Sequence, residues 1–182
     1  MTKYSDVMID IETLSVFPDA TILSISAVSF DPFDIDPDIA NYPTLDLLIS
    51  LDGQEQRSIQ DETVNWWARQ SSEVQAKIFS DSGRVSMPAA LEELTKFVWN
   101  KNRIWAQGVT LDITVLAHAY QQVAMPVPWP YHIVRDSRTL LDLTDVEQDA
   151  VTHDSLLDAF RQVTGVQQAI ARLGVKKFIK FR

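Results

Sequence analysis

The chain contains no cysteine, which excludes disulfides, thiolate metal sites and a cysteine nucleophile. Glycine is scarce, with five in 182 residues, and no Gly/Ser-rich tract, low-complexity run or internal repeat divides the chain. That length reads as one domain over residues 1–182, enough to enclose a proper core. No apolar run approaches the ~20 residues of a membrane span, and the opening MTKYSDVMID is not a signal peptide. The expectation is a soluble protein of a reducing cytoplasm, with no membrane partner. Basic residues are rare in the first third: residues 1–62 hold 13 acids against 2 bases, a balance of −11. Residues 63–182 balance at +2, giving −9 overall. Such a charge argues against simple electrostatic capture of a polyanion. Because the excess is local, cations held by clustered acids would still admit a phosphate substrate.

What is present begins with a strand that carries acids where core is expected. In DVMIDIET, Val7, Ile9 and Ile11 alternate with Met8, Asp10 and Glu12, a period of two. Asp10 and Glu12 then share one face, ~6.6 Å apart along the strand, while the aliphatic set packs behind them. Neighbouring carboxylates repel and are costly to bury unless positive charge lies between them. A divalent cation is the natural partner.

Residues 6–12, 21–30 and 45–50 read as three strands, followed by two short helices with Asp61 and Ser71 or Ser72 as N-caps. MPAALEELTKFVWNK is an amphipathic helix with Leu91, Leu94, Phe97 and Val98 on one side. RIWAQG is a fourth strand ending at Gly108, and DITVLAHAYQQVA a helix in which Asp112 is an N-cap candidate. YHIVRDSRTLLDL is a strand entering a short helix, and residues 153–174 read as two helical segments broken near Gly165. This order predicts an α/β mixed sheet with helices on its faces. Asp31, Asp34, Asp36 and Asp38 form a solvated acidic loop, without the glycine and closing glutamate of a calcium loop. His118 and His132 read as structural. Residues 175–182 form a basic tail, suited to packing on its own domain, a nucleic-acid backbone or a second subunit.

Three motifs carry the chemistry: Asp10-x-Glu12-Thr13, Gly108-x-x-x-Asp112 and His153-x-x-x-x-Asp158. Together they resemble the DEDDh 3′–5′ exonucleases of the ribonuclease H-like superfamily. The longer blocks MIDIETL, TVNWWARQS, WAQGVTLDITVL, RDSRTLLDL and HDSLLDA are similar to the branch that includes T4-type exodeoxyribonuclease A and ribonuclease AS. The resemblance runs from about residue 6 to 165. Leu111 stands where the family commonly has an aromatic, and Ser155 where alanine is usual.

The resemblance implies a ribonuclease H-like mixed sheet and hydrolysis of phosphodiesters at the 3′ end of single-stranded DNA or RNA. It implies two ions, Mg²⁺ or Mn²⁺, on Asp10, Glu12, Asp112 and Asp158, with His153 as general base. Four acids without cysteine suit such hard cations, and an unperturbed imidazole titrates near neutral pH. Trp66 and Trp67 are candidates to stack on a terminal base, one of them alternatively serving as core. Leu14 resembles the family's wedge residue. Thr13, Asn65 and Gln70 are further substrate-contact candidates, and Arg138, with Arg135, could reach phosphate. The relatives also suggest a homodimer. A dinucleotide hydrolase and an inactive nucleic-acid-binding protein are the competing expectations. The second requires a broken acid or histidine, and all five are intact.

Overall fold

The computed structural model describes residues 4–34 and 41–177. Asp36 and Asp38 of the acidic loop and residues 178–182 of the basic tail lie outside the described residues.

Three strands come first: β1 (Asp6–Thr13), β2 (Ile22–Phe30) and β3 (Thr44–Leu48). Helices α1 (Asp61–Trp67), α2 (Ser72–Ile78) and α3 (Met87–Phe97) follow. Then β4 (Arg103–Ala106), α4 (Asp112–Gln122), β5 (Val134–Asp136), α5 (Ser137–Asp142) and α6 (Ser155–Arg172) complete the described chain. The sheet runs β3-β2-β1-β4-β5, antiparallel among the first three and parallel from β1 through β4 to β5. It is the mixed α/β sheet that the sequence predicts.

The period of two in β1 divides the molecule into layers. Val7, Ile9 and Ile11 pack with Met87, Leu91 and Leu94 of α3 and with Val115, Leu116 and Ala119 of α4. On the opposite face Met8 joins Val28, Phe30 and Trp105 beneath Ala159, Val163, Val166 and Ile170 of α6. Asp10 and Glu12 therefore face α6.

Register shifts between Glu12 and Thr13, where Glu12 pairs with Ser24 but Thr13 with Ile22. The extra residue, Leu23, is a local irregularity of the kind that redirects a strand end. Past it, Leu14 and Leu23 leave the sheet's two faces and form a third cluster with Trp67 and Ile78.

Three local expectations are corrected. The break near Gly165 does not occur: α6 is continuous from Ser155 to Arg172. A β-carbon on Gly165 would stand 2.5 Å from Gln148 Nε2 and 3.2 Å from Leu141 Cδ2. The glycine therefore admits close packing rather than ending the helix. Gln60, not Asp61, caps α1, and it does so without a side-chain bond, because its Oε1 accepts from Ser15 Oγ and Val16 N–H. Asp61 opens the first turn, where a negative charge still favours the helix dipole. Leu111 rather than Asp112 holds the N-cap position of α4, and Asp112 turns its carboxylate elsewhere. Ser71 caps α2 by accepting from Val74 N–H.

Candidate active site

The site forms at the C-terminal end of β1, where the parallel part of the sheet opens. Pairing of β1 with β4 reaches only Met8 against Trp105, so the β1 edge beyond it needs another partner. Asp112 supplies it: its Oδ1 accepts from Ile11 N–H at 3.2 Å. Gly108, at φ +135°, carries the chain from β4 toward α4. A side chain there would meet Asp112 Oδ2 at 3.7 Å and Arg138 Nη2 at 3.8 Å.

From the other side, α6 contributes Asp158, which is 2% exposed. Its carboxylate accepts from Thr152 N–H at 3.1 Å, His153 N–H at 2.8 Å and Arg161 Nε at 3.1 Å. Asp154 caps α6, accepting from Leu156 and Leu157 N–H, so His153 lies on the loop just before the helix. Lys77 of α2 donates to Asp154 Oδ2 at 2.5 Å and stands 3.8 Å from Asp46 of β3. His153 adopts φ +58°, a left-handed backbone that costs a non-glycine residue on the order of 1 kcal/mol. The loop is held there by Asp158 from below and by Trp66, whose ring lies 4.6 Å from the imidazole, edge on. Glu12, His153 and Asp158 each offer a ligand atom, and these lie within 4.8 Å of one another.

Electrostatics show how unfavourable the acids are alone. Burial, then repulsion from Asp112 and Glu12, pushes Asp10 well above the ordinary carboxylate range. Burial, then Asp158, Asp112 and Asp154, pushes Glu12 up to about 8. Asp112 is pushed up to about 7 by burial, against the bond from Ile11 and the charge of Arg138. Three crowded carboxylates that resist ionisation in isolation are a donor set suited to a hard divalent cation. The residues present fit such an ion.

A family model described as the Rv2179c-like 3′–5′ exoribonuclease domain matches residues 5–170. The chain belongs to this family. It is a 3′–5′ exonuclease with a ribonuclease H-like fold, and no curated protein matches its sequence. Among solved structures it is similar to the nuclease domain of 3′hExo, a DEDDh family member bound to rAMP. That likeness has 11% identity over 100% of this chain and 98% of the other, with a TM-score of 0.63. It is also similar to S. pombe Pop2p in its Mg²⁺- and Mn²⁺-bound form, at 13% identity, 93% and 84% coverage and a TM-score of 0.62. The RNase domain of yeast Pop2 gives 13% identity, 97% and 80% coverage and a TM-score of 0.63.

The remaining candidates in this exoribonuclease-family chain divide between surface and interior. Trp67 is 1% exposed and donates its indole N–H to Thr13 O at 2.9 Å. It is core, and its expected stacking on substrate is corrected by that burial. Leu14 is also buried, beside Trp67 and partly buried Trp66. The Thr13 hydroxyl donates to Ser15 O, so both polar groups of Thr13 are engaged within the protein. Asn65 is exposed, and Gln70 donates to Trp66 O at the end of α1. Arg138 is exposed and donates to Gln107 O at 3.0 Å, whereas Arg135 is folded back onto the carbonyls of His132 and Val134. A cavity of about 280 Å³ opens beside His153, walled by Leu48, Val74, Ile78 and Leu157, with Lys77 among its polar residues. Sequence reasoning missed Arg161, Lys77 and Gln162. For Arg161 and Gln162 a signal existed, since they lie three and four residues after Asp158 on one helix face.

Among the described residues no helix is long and apolar enough to cross a membrane.

Proposed function

We propose that the protein shortens single-stranded RNA from its 3′ end, with Asp10, Glu12, Asp112 and Asp158 holding two divalent cations and His153 acting as general base. The observation that supports this reading is the convergence of β1, α4 and α6 acids on one strand end with a histidine beside them. RNA is favoured over DNA by the family's description as exoribonucleases. Bound Mg²⁺ or Mn²⁺ supplies positive charge that stabilises the attacking and leaving oxygens of an in-line displacement.

The chain's own groups divide the remaining work. Asp10, which lies against both Asp112 and Glu12, would help to hold both cations. Glu12 and Asp158, which lie beside His153, would help to hold one cation, and Asp112 would help to hold the other. His153 takes the proton of the attacking water, a role that fits an imidazole at neutral pH. Its perch against Trp66 keeps the base close while water is confined. Partly buried Trp66, backed by Leu14, forms the surface for the terminal base, an aromatic stacking contact worth ~1–3 kcal/mol. Asn65, Gln70 and Thr13 shape the entrance, and Arg138 meets phosphate.

Degradation of matched 5′-labelled RNA and DNA 20-mers, and of a dinucleotide, with Mg²⁺, Mn²⁺ or EDTA, tests this. The expected result is a metal-dependent RNA ladder shrinking from the 3′ end, abolished in Asp10→Ala. Preferential loss of DNA, or cleavage of the dinucleotide alone, would overturn the substrate. No cleavage with any metal would overturn the reaction.

A further inference from the structure

One buried polar residue at the site belongs to none of the three motifs. Gln162 lies one helical turn beyond Asp158 on α6 and is 2% exposed. Its Nε2 donates to Asp10 Oδ1 at 2.6 Å, which ties α6 to the first acid of the site. Its Oε1 is buried with no hydrogen-bond partner among the described residues. An unsatisfied buried carbonyl costs ~1–3 kcal/mol, and the neighbours of Gln162 on the same helix face, Ala159 and Val166, belong to an apolar cluster. Local packing therefore does not account for a carboxamide here.

We infer that Gln162 is a positioning residue that fixes the Asp10 carboxylate for cation binding and so sets the affinity of the site for divalent ions. The inference rests on the reading of Asp10 as a cation ligand. By donating to Oδ1, the amide holds the plane of the Asp10 carboxylate and so fixes where its oxygens lie. Being neutral, it does this without adding a positive charge that would compete with the ion. A lysine there would bind Asp10 more strongly and occupy the cation's place. Outer-shell partners of this kind typically alter metal affinity by ~10–100-fold when lost.

The test is calorimetric titration of Mn²⁺ into wild type, Gln162→Met, Gln162→Leu, Asp10→Asn and the Asp10→Asn/Gln162→Met double variant. Metal-free thermal midpoints and kcat against KM for RNA are measured alongside. The expected result is a Kd for Mn²⁺ raised ~10-fold or more in Gln162→Met. The metal-free midpoint should stay within a few degrees of wild type, and kcat should recover at high Mn²⁺ while KM for RNA stays unchanged. In the Asp10→Asn background the second substitution should add nothing, since the residue acts through Asp10. Wild-type Mn²⁺ affinity in both Gln162→Met and Gln162→Leu would overturn the inference alone, as would full additivity in the double variant. A wild type that binds no Mn²⁺, or binds it equally without Asp10, would instead overturn the underlying reading.

Discussion

At the scale of single residues, His153 is the most exposed to test because its backbone and side chain make separate demands. Its φ of +58° suits asparagine better than alanine, so His153→Asn keeps the loop and removes the proposed base. Steady-state kinetics on RNA should show kcat reduced ~10²–10⁴-fold, with KM changed far less. An undiminished kcat would remove His153 from the proton transfer. Much at this scale was legible beforehand. Asp10 and Glu12 share a face because a strand alternates, and no other geometry was available to them. The choice between Trp66 and Trp67 was not legible, since adjacent helical residues present two directions and only the Leu14–Leu23–Ile78 cluster decides which is buried. The partners of Thr13 were not legible either: its carbonyl accepts from Trp67 and its hydroxyl donates to Ser15 O.

At the scale of elements, α6 shows what a local signal conceals. Gly165 reads as a breaker because glycine costs ~1 kcal/mol in a helix interior, yet the helix passes through it. The reason is the Gln148 side chain lying against it, and Gln148 in turn accepts from Arg161 Nη1 at 2.8 Å. Arg161 holds Asp158, so the glycine is linked to the site through two side chains. In Gly165→Ala the helical gain of up to ~1 kcal/mol opposes the loss of Gln148 hydrogen bonds worth ~0.5–1.5 kcal/mol each. Chemical denaturation should find stability within ~1 kcal/mol of wild type, while activity falls several-fold as the Arg161 brace loosens. A strongly destabilised variant would mean that Leu141, also 3.2 Å away, cannot yield. Other elements were legible at their centres and displaced at their ends. The third strand stops at Leu48 and the fourth at Ala106, and that early end of β4 is what frees Ile11 N–H for Asp112.

At the scale of the whole molecule, the crowded acids make stability depend on pH and cations together. The unfolded chain releases carboxyl protons near the ordinary value of ~4. The folded, metal-free protein holds one at Glu12 until about 8 and one at Asp112 until about 7. Between those limits the folded state binds more protons, so stability falls as pH rises from ~4 toward 8. Thermal midpoints in EDTA should therefore drop from pH 5 to pH 8. Mg²⁺ or Mn²⁺ should raise the midpoint little at pH 5 and clearly at pH 8, because the ion takes the place of the protons and binds only the folded state. A flat profile in EDTA would mean that the acids are not crowded as described.

The central proposal is that acids carried by a central strand, a helix start and a helix face form one site for two cations. Anomalous scattering from crystals grown with Mn²⁺ tests it most directly. Two peaks are expected beside the Asp10 carboxylate, one toward Glu12 and Asp158 and the other toward Asp112. Density absent from the end of β1, or manganese bound only elsewhere on the acidic surface, would contradict it.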